Sequence, residues 1–466
     1  MFPVVRVVVM FSLAGGALCA QAPAPAAAGP TAEQVMLRKI YSEALGRGAA
    51  HDNLRALVTQ APGRLSGSKA LERAVVWAEQ TLTDLKLDRV AKQEVKVPHW
   101  TRGTAESVKL LPPSGSAGNS SSLTAVALGN SVPGDVTAEV VKVGSLAELE
   151  KLGRAVAGKI VFFDRAMNPE HIATGRAYGE AGEGRNRGPA AAAQLGAVGA
   201  LTRSLTLAKD DVPHTGATAY APGQPNIPAA ALSYLAADRL VAALAEKPRL
   251  RVALRVNSRW FNPATSHNVI GEIRGTEFPE QIILVGGHLD SWDTTPGAHD
   301  DGAGVVQSIE VLRIFRALGI APRHTVRCVL FTNEENGTAG AAAYAAAAKE
   351  AKEKHLFAVE SDNGGFQPRS FSLGSTQGEA HVRATRWLPL FEPYGVMAFT
   401  KGTGGADVAP LMLQGATVAG LTADSQRYFD YHHAATDTIE TVHPRELHLG
   451  AAALAALIWL VDTQGL

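Results

Sequence analysis

The chain has 466 residues, 46% of them hydrophobic and 19% charged, which excludes a disordered or fibrous protein and gives length for two or three domains, each with its own core. Its 44 basic and 44 acidic side chains cancel to a formal net charge of zero, and no basic run stands out, so neither nucleic acid nor an anionic membrane surface is expected as a partner.

The N-terminus, MFPVVRVVVMFSLAGGALCAQAPAPAAAGP, carries one arginine, an apolar stretch too short to span a bilayer, small residues and then an Ala/Pro tract. It reads as an export signal over residues 1–20, cleaved near Ala20, which sends the mature protein to a secreted or periplasmic location. A lipid attachment at Cys19 is disfavoured because Leu18 stands where a small residue is wanted. The other cysteine, Cys328, lies in the apolar run TVRCVLF and reads as an inert core residue with no disulfide partner.

Residues 21–119 open with helical text: in SKALERAVVWAEQTLTDLKL, residues 68–87, apolar positions recur three and four apart. Strand-like alternation follows in VAKQEVKV. Past the cluster GSAGNSSS, residues 120–255 hold short strand candidates (TAEVVKVG, GKIVFFD), one Ala/Gly helix (GPAAAAQLGAVGALT) and a Pro/Gly/Thr-rich loop, with few clustered titratable groups. They predict an inserted, β-rich domain, either a lid over a substrate channel or an oligomerisation surface.

From residue 256 to 466 the text alternates regularly: strand QIILVGGH, helix GAGVVQSIEVLRIFRALG, strand HTVRCVLFTNEE, helix TAGAAAYAAAAKEAK, strand HLFAVESD and later TVAGLTAD. Continuous apolar strands separated by helices predict an α/β fold with a mixed, largely parallel central sheet and helices on both faces. The C-terminal LGAAALAALIWLV reads as a packed helix, and no other segment reaches the ~18 uninterrupted apolar residues of a membrane span.

In such sheets the ligand site lies outside the carboxyl ends of the strands. There His288 and Asp290, Glu334 and Glu335, and Asp362 fall at successive strand ends. The stretch GGHLDSWDTTPGAHDD, residues 286–301, adds two histidines and four aspartates with no lysine or arginine. Crowded carboxylates repel one another, a divalent cation removes that repulsion, and imidazole among the donors favours zinc over magnesium or calcium. The late segment YFDYHHAATDT, residues 428–438, supplies a further histidine, His432 or His433.

The ordered set GGHLDSWD, AHDDGAG, TNEENG, ESDNGG and YHHAATDT resembles the co-catalytic two-zinc exopeptidases, a family that includes the bacterial zinc aminopeptidases, and within it the carboxypeptidase Q branch. RLSGSKALERAVVWAEQTL resembles that family's N-terminal helix, and residues 120–250 its inserted protease-associated domain. The resemblance implies that Asp300 bridges two zinc ions, that His288 and Asp362 complete one, and that Glu335 and His433 complete the other. His433 is preferred to His432 because Asp437 follows it at the family's spacing. The resemblance further implies that Asp290 orients the His288 imidazole, that Glu334 is the general base for amide hydrolysis by zinc-activated water, that the Asp300–Asp301 peptide is cis, and that the protein is a homodimer. The glycine-rich TKGTGGADVAP, residues 400–410, matches a substrate-facing loop with Asp407 as a contact. His299 points either away or toward substrate.

The implied activity is exopeptidase cleavage of dipeptides or short peptides. Its rivals are an aminopeptidase acting on longer peptides, a metal-free scaffold relative, and a one-zinc acyl-transfer enzyme resembling glutaminyl cyclase. A serine hydrolase lacks its G-x-S-x-G, the S-x-x-K at Ser66–Lys69 lacks its companion elements, and HPRELH, residues 443–448, contains neither zincin motif. No dinucleotide fingerprint or P-loop is present.

Overall fold

A ribbon interrupted by a second sheet organises the molecule. The structure, a computed structural model, describes Met1, Pro3, Val4 and residues 29–104, 106–112 and 119–466. The expected export signal, Cys19 included, lies outside the described residues but for Met1, Pro3 and Val4. Three helices come first, Ala32–Arg47, Ala50–Gln60 and Lys69–Asp84; the first opens on a capping box between Thr31 and Gln34, and Ser68 caps the third.

Strand β1 (Arg89–Thr101) follows, and the chain then leaves to build a second sheet from β2 (Ser107–Leu110), β3 (Ser121–Leu123), β4 (Ala125–Ala127), β5 (Gly134–Val143), β6 (Ile160–Phe163), β7 (Gly199–Arg203), β8 (Ala229–Leu232) and β9 (Arg251–Val256). It returns in β10 (Arg259–Ile273), which pairs antiparallel with β1 from Arg89↔Glu272 to Thr101↔Arg259. The first sheet is completed by β11 (Phe278–His288), β12 (His324–Phe331), β13 (Lys354–Ser361), β14 (Pro368–Gly374), β15 (Ala398–Lys401) and β16 (Thr417–Ala423). Its order is β1-β10-β12-β11-β13-β16-β14-β15, parallel from β12 through β16, antiparallel at β1–β10, β10–β12 and β16–β14, and parallel again in the edge pair β14–β15. This is the mixed, centrally parallel α/β sheet expected.

Side chains alternate across each strand, so both faces of a buried strand need cover. Ile283 and Val285 of β11 join one core with the helices Ala303–Ala317 and Pro444–Gln464, while Ile282 and Leu284 face the helix Ala339–Glu350. The last helix runs 21 residues, longer than the apolar stretch expected, and is long and apolar enough to cross a membrane. Here it packs inside the protein: every residue from Gly450 to Ile458 is buried. Cys328 sits in the same core, where burial pushes its thiol up.

The second sheet has the order β3-β2-β9-β5-β6-β7-β8-β4 and begins before residue 120, with β2. It is less β-rich than expected, since helices cover both faces: Tyr234–Glu246 packs on one and Gly188–Gln194 on the other. The single Ala/Gly helix expected over residues 188–202 is corrected to a helix ending at Gln194 and strand β7; Gly196, at φ 89°, turns the chain between them.

Candidate metal centre

In the first sheet β11 lies between β12 and β13 and is parallel to both, so their carboxyl ends are neighbours. That alone brings together His288 at the end of β11, Glu334 and Glu335 just past β12, and Asp362 just past β13. Asp300 reaches the same place from the loop after β11, and several buried groups hold that loop. The Asp437 carboxylate accepts from the backbone N–H of His299 (2.7 Å) and of Asp300 (3.1 Å). The Asp301 carboxylate accepts from His288 N–H (2.9 Å) and Gly304 N–H (2.9 Å), tying the strand end to the following helix. Arg64, fully buried, donates to the carbonyls of Leu289 (2.6 Å), Pro296 (2.6 Å) and Gly297 (2.9 Å). Gly297, at φ 66°, admits no side chain: a Cβ would lie 2.5 Å from that of Ser291 and 2.9 Å from Arg64 Nη1. The Asp300–Asp301 peptide is cis.

The cluster centres on Asp300. His288 Nε2 lies 3.4 Å from Asp300 Oδ1 and 3.7 Å from Asp362 Oδ1. On the other side His433 Nε2 lies 3.2 Å from Asp300 Oδ2 and 3.1 Å from Glu335 Oε2. His432 stacks on His433 with ring centroids 3.6 Å apart, and its Nε2 is 3.5 Å from the same Asp300 oxygen. Both histidines therefore reach Asp300, and of the two it is His433 that also contacts Glu335.

These residues suit a zinc-type ion. Asp300 Oδ2 and Asp362 Oδ1 are buried with no hydrogen-bond partner. Ligand atoms of His288, Asp300 and Asp362 lie within 4.8 Å of one another, as do those of Asp300, His432 and His433. Two imidazoles direct Nδ1 at a main-chain carbonyl, His288 at Asp290 O (3.0 Å) and His433 at Thr215 O (3.3 Å). A carbonyl can only accept, so the proton sits on Nδ1 and the Nε2 lone pair faces the carboxylates. Among the described ion pairs, no lysine or arginine neutralises these acids. With no cation between them, burial alone would raise the Asp300 carboxyl, but the imidazoles of His432, His288 and His433, when protonated, outweigh it and hold it well below its usual range. Burial and the charge of Asp300 push Glu335 up to about 7, and burial pushes Asp437 up to about 8.

Asp290 departs from the expectation that its carboxylate orients His288. Its Oδ1 stands 3.8 Å from Nδ1, and the ring is held by the Asp290 main-chain oxygen. The carboxylate instead accepts from the N–H groups of Glu334 (3.0 Å) and Glu335 (3.3 Å), which the turn at Asn333, φ 66°, directs at it. Asp290 thus sets the backbone from which the two glutamates project. Burial pushes the Glu334 carboxyl well up.

Asp407 is 1% exposed, and neither of its carboxylate oxygens has a partner. Its N–H and that of Val408 both donate to Glu360 Oε2, each at 2.9 Å, and burial followed by the charges of Glu360 and Glu334 holds the Asp407 carboxyl well above its usual range. It is enclosed beside the site, whereas the loop reading made it a substrate contact. His299 turns away from the cluster: its Nδ1 accepts from Gly365 N–H (3.0 Å) and its ring stacks on Phe366 at 4.2 Å. Burial lowers it to about 3.

Sequence reasoning passed over Arg64, His214, Thr215 and Trp292. Trp292 N–H donates to Glu335 Oε1 (3.1 Å), and His214 and Thr215 bind the backbone of the His432–His433 pair. Asp301, by contrast, caps the following helix through Gly304 N–H, as an aspartate ahead of a helix start can.

The profile described as Peptidase family M28 matches residues 268–458. Carboxypeptidase Q of Bos taurus is 33% identical over 436 residues, spanning 93% of this chain and 89% of the relative. That of Homo sapiens is 32% identical over 94% of this chain and 89% of its own length. Among solved structures, a peptidase M28 precursor from Shewanella amazonensis matches with a TM-score of 0.87 and 34% identity, covering 93% of this chain and 97% of the other. An aminopeptidase from Aneurinibacillus matches with a TM-score of 0.64 at 21% identity over 92% and 96%, a likeness of fold.

Proposed function

The chain belongs to peptidase family M28, and from that premise we propose that this zinc-dependent exopeptidase holds two zinc ions and cleaves dipeptides or short peptides after export from the cytoplasm. One observation carries the two-ion reading: the two oxygens of Asp300 face two separate imidazole–carboxylate groups, His288 with Asp362 and His433 with Glu335. Each group with Asp300 offers three protein ligands, the number that catalytic zinc sites use while keeping a position open.

Zinc held there supplies a Lewis acid that polarises a carbonyl and acidifies water. Glu334 takes the proton from the attacking water and returns it to the departing amine. In the turn that follows β12, Glu335 meets His433 in the ligand cluster, which leaves Glu334 as the carboxylate for the proton. Asp290 aims both by holding their N–H groups.

Residues 21–119 and 256–466 make the catalytic unit and residues 120–255, with β2, the protease-associated insertion; the chain acts as a homodimer. Likeness to the carboxypeptidase Q relatives and to a structure described as a precursor supports peptide substrates and export. The test is to incubate zinc-loaded protein with dipeptides, N-blocked peptides and longer peptides and identify products by mass, alongside metal analysis. Hydrolysis of free dipeptides at about two zincs per chain, lost on chelation and in Glu334→Gln, is expected. Activity surviving both treatments, or full activity at one zinc per chain, refutes the reading.

A further inference from the structure

We propose that the second-sheet module is part of the metal centre, with His214 and Thr215 as positioning residues for the Glu335/His433 half of it alone; this rests on the assignment of His433 as a ligand above.

His433 is gripped at two points by one residue of the module. Thr215 N–H donates to His433 O (3.0 Å), and His433 Nδ1 donates to Thr215 O (3.3 Å). One position earlier, His214 Nδ1 donates to His432 O (2.7 Å). This clasp holds His433 at φ 63°, a conformation that a residue with a side chain seldom adopts unaided. The Thr215 carbonyl also fixes the His433 tautomer, and such an outer acceptor raises the basicity of the ligating nitrogen.

The clasp is anchored in the second sheet. His214 N–H donates to Ser204 Oγ (2.8 Å), which donates to Leu232 O of β8 (2.6 Å). Thr215 Oγ1 donates to Ala127 O of β4 (3.0 Å). Arg185 donates to Thr215 O from the module side (3.3 Å), its guanidinium so close over Gly216 that a Cβ there would lie 2.5 Å away.

A second contact braces Glu335. Gly129 of the module packs against Trp292 so tightly that a Cβ would lie 1.9 Å from the ring, and the main-chain N–H of Trp292 donates to Glu335 Oε1. Arg102 ties the same loop down by donating to Ala127 O and pairing with Asp293 (2.6 Å). His288, by contrast, is held by Asp290 O and Asp301, both in the catalytic sheet's own loops. The two ion sites are thus unequal in what supports them, and only one leans on the module.

The test is zinc affinity, read by competition with a chromophoric chelator on the full chain, with thermal unfolding of the metal-free form to report folding. His214→Phe keeps an apolar ring without the donor, and His214→Asn restores a donor near the Nδ1 position. Loss of an outer partner typically weakens metal binding by ~10- to 100-fold, so His214→Phe is expected to weaken one zinc of the two by that factor and leave the other unchanged, with His214→Asn recovering most of the loss. Thr215→Val, which removes only the anchor to Ala127, shifts the same site in the same direction by less, and decides the matter if His214→Phe does not fold. Two wild-type affinities in these variants, or equal weakening of both ions, overturn the proposal. His433→Ala is the control: if it still binds two zincs as wild type does, the ligand assignment itself fails, whereas loss of one zinc there with no change in the His214 and Thr215 variants defeats the clasp alone.

Discussion

Replacing Arg64 by methionine should unfold the molecule more easily and empty its metal centre together. The guanidinium is fully buried, has no carboxylate among the described residues within ion-pair distance, and serves three main-chain carbonyls in the loop that carries Asp300. Burial lowers its pKa, and the charges of Asp437, Asp290, Asp301 and Glu335 oppose that shift. Methionine fills similar volume with no donor. Leu289 O and Pro296 O are left unpaired at about 1–3 kcal/mol each, while Gly297 O keeps the Gly302 N–H (3.1 Å). Relief from burying a cation offsets part of that. A net loss of ~1–4 kcal/mol is expected, a sizeable fraction of a typical domain's margin. The assay is urea unfolding of metal-free protein with metal analysis of the loaded form. Arg64→Lys, with one compact ammonium for three acceptors, should fall between. Stability within ~0.5 kcal/mol of wild type, with zinc content unchanged, would refute the view that Arg64 holds the Asp300 loop, because a surface-like substitution behaves that way.

Glu334→Gln should lower kcat by ~10²- to 10⁴-fold, the range for removing a general base, while metal analysis shows unchanged zinc. Asp300→Ala should abolish binding of both ions and His288→Ala of one, measured by the zinc retained after gel filtration. His355 lies far from the centre, its Nε2 on Tyr344 Oη at 2.8 Å, and burial with the charge of Arg327 lowers it to about 4. Its folded pKa lies below its unfolded value near 6.5, so the stability it protects is whole above pH 6.5 and drains away as pH falls toward 4, by up to ~3 kcal/mol. His355→Gln should flatten that part of the unfolding profile, and a profile as steep as wild type would count against it.

His288, Glu335 and Asp362 could be picked out beforehand because parallel strands deliver their ends to one place, so a residue's position in a strand–helix repeat already says where it points; Asp300, in the loop after β11, came from the family resemblance alone. Arg64, Thr215 and Gly129 could not, since they act on or through main-chain atoms, and a carbonyl has no residue type to leave a spacing in the text. Asp290 shows the limit from the other side. Its separation from His288 is visible in HLD, but whether the ring meets the side chain or the peptide oxygen depends on the turn at Asn333. Over residues 199–203 the letters GALTR suit helix or strand equally, and only pairing with β6 and β8 decides. The chain-order reading was therefore best where chemistry and topology coincide and weakest where small residues leave the backbone undetermined.

The β1–β10 ribbon has a consequence for how such a protein can be remade. Thr101 and Arg259 are cross-strand partners, so the chain departs and comes home at neighbouring points roughly 5 Å apart. Everything between could be excised and the gap bridged by a two-residue hairpin turn without disturbing the register of the ribbon below it. A trimmed chain of that kind would keep its cluster of acids at the strand ends yet lose the outside hand on His433, turning one half of a paired centre into a loose socket.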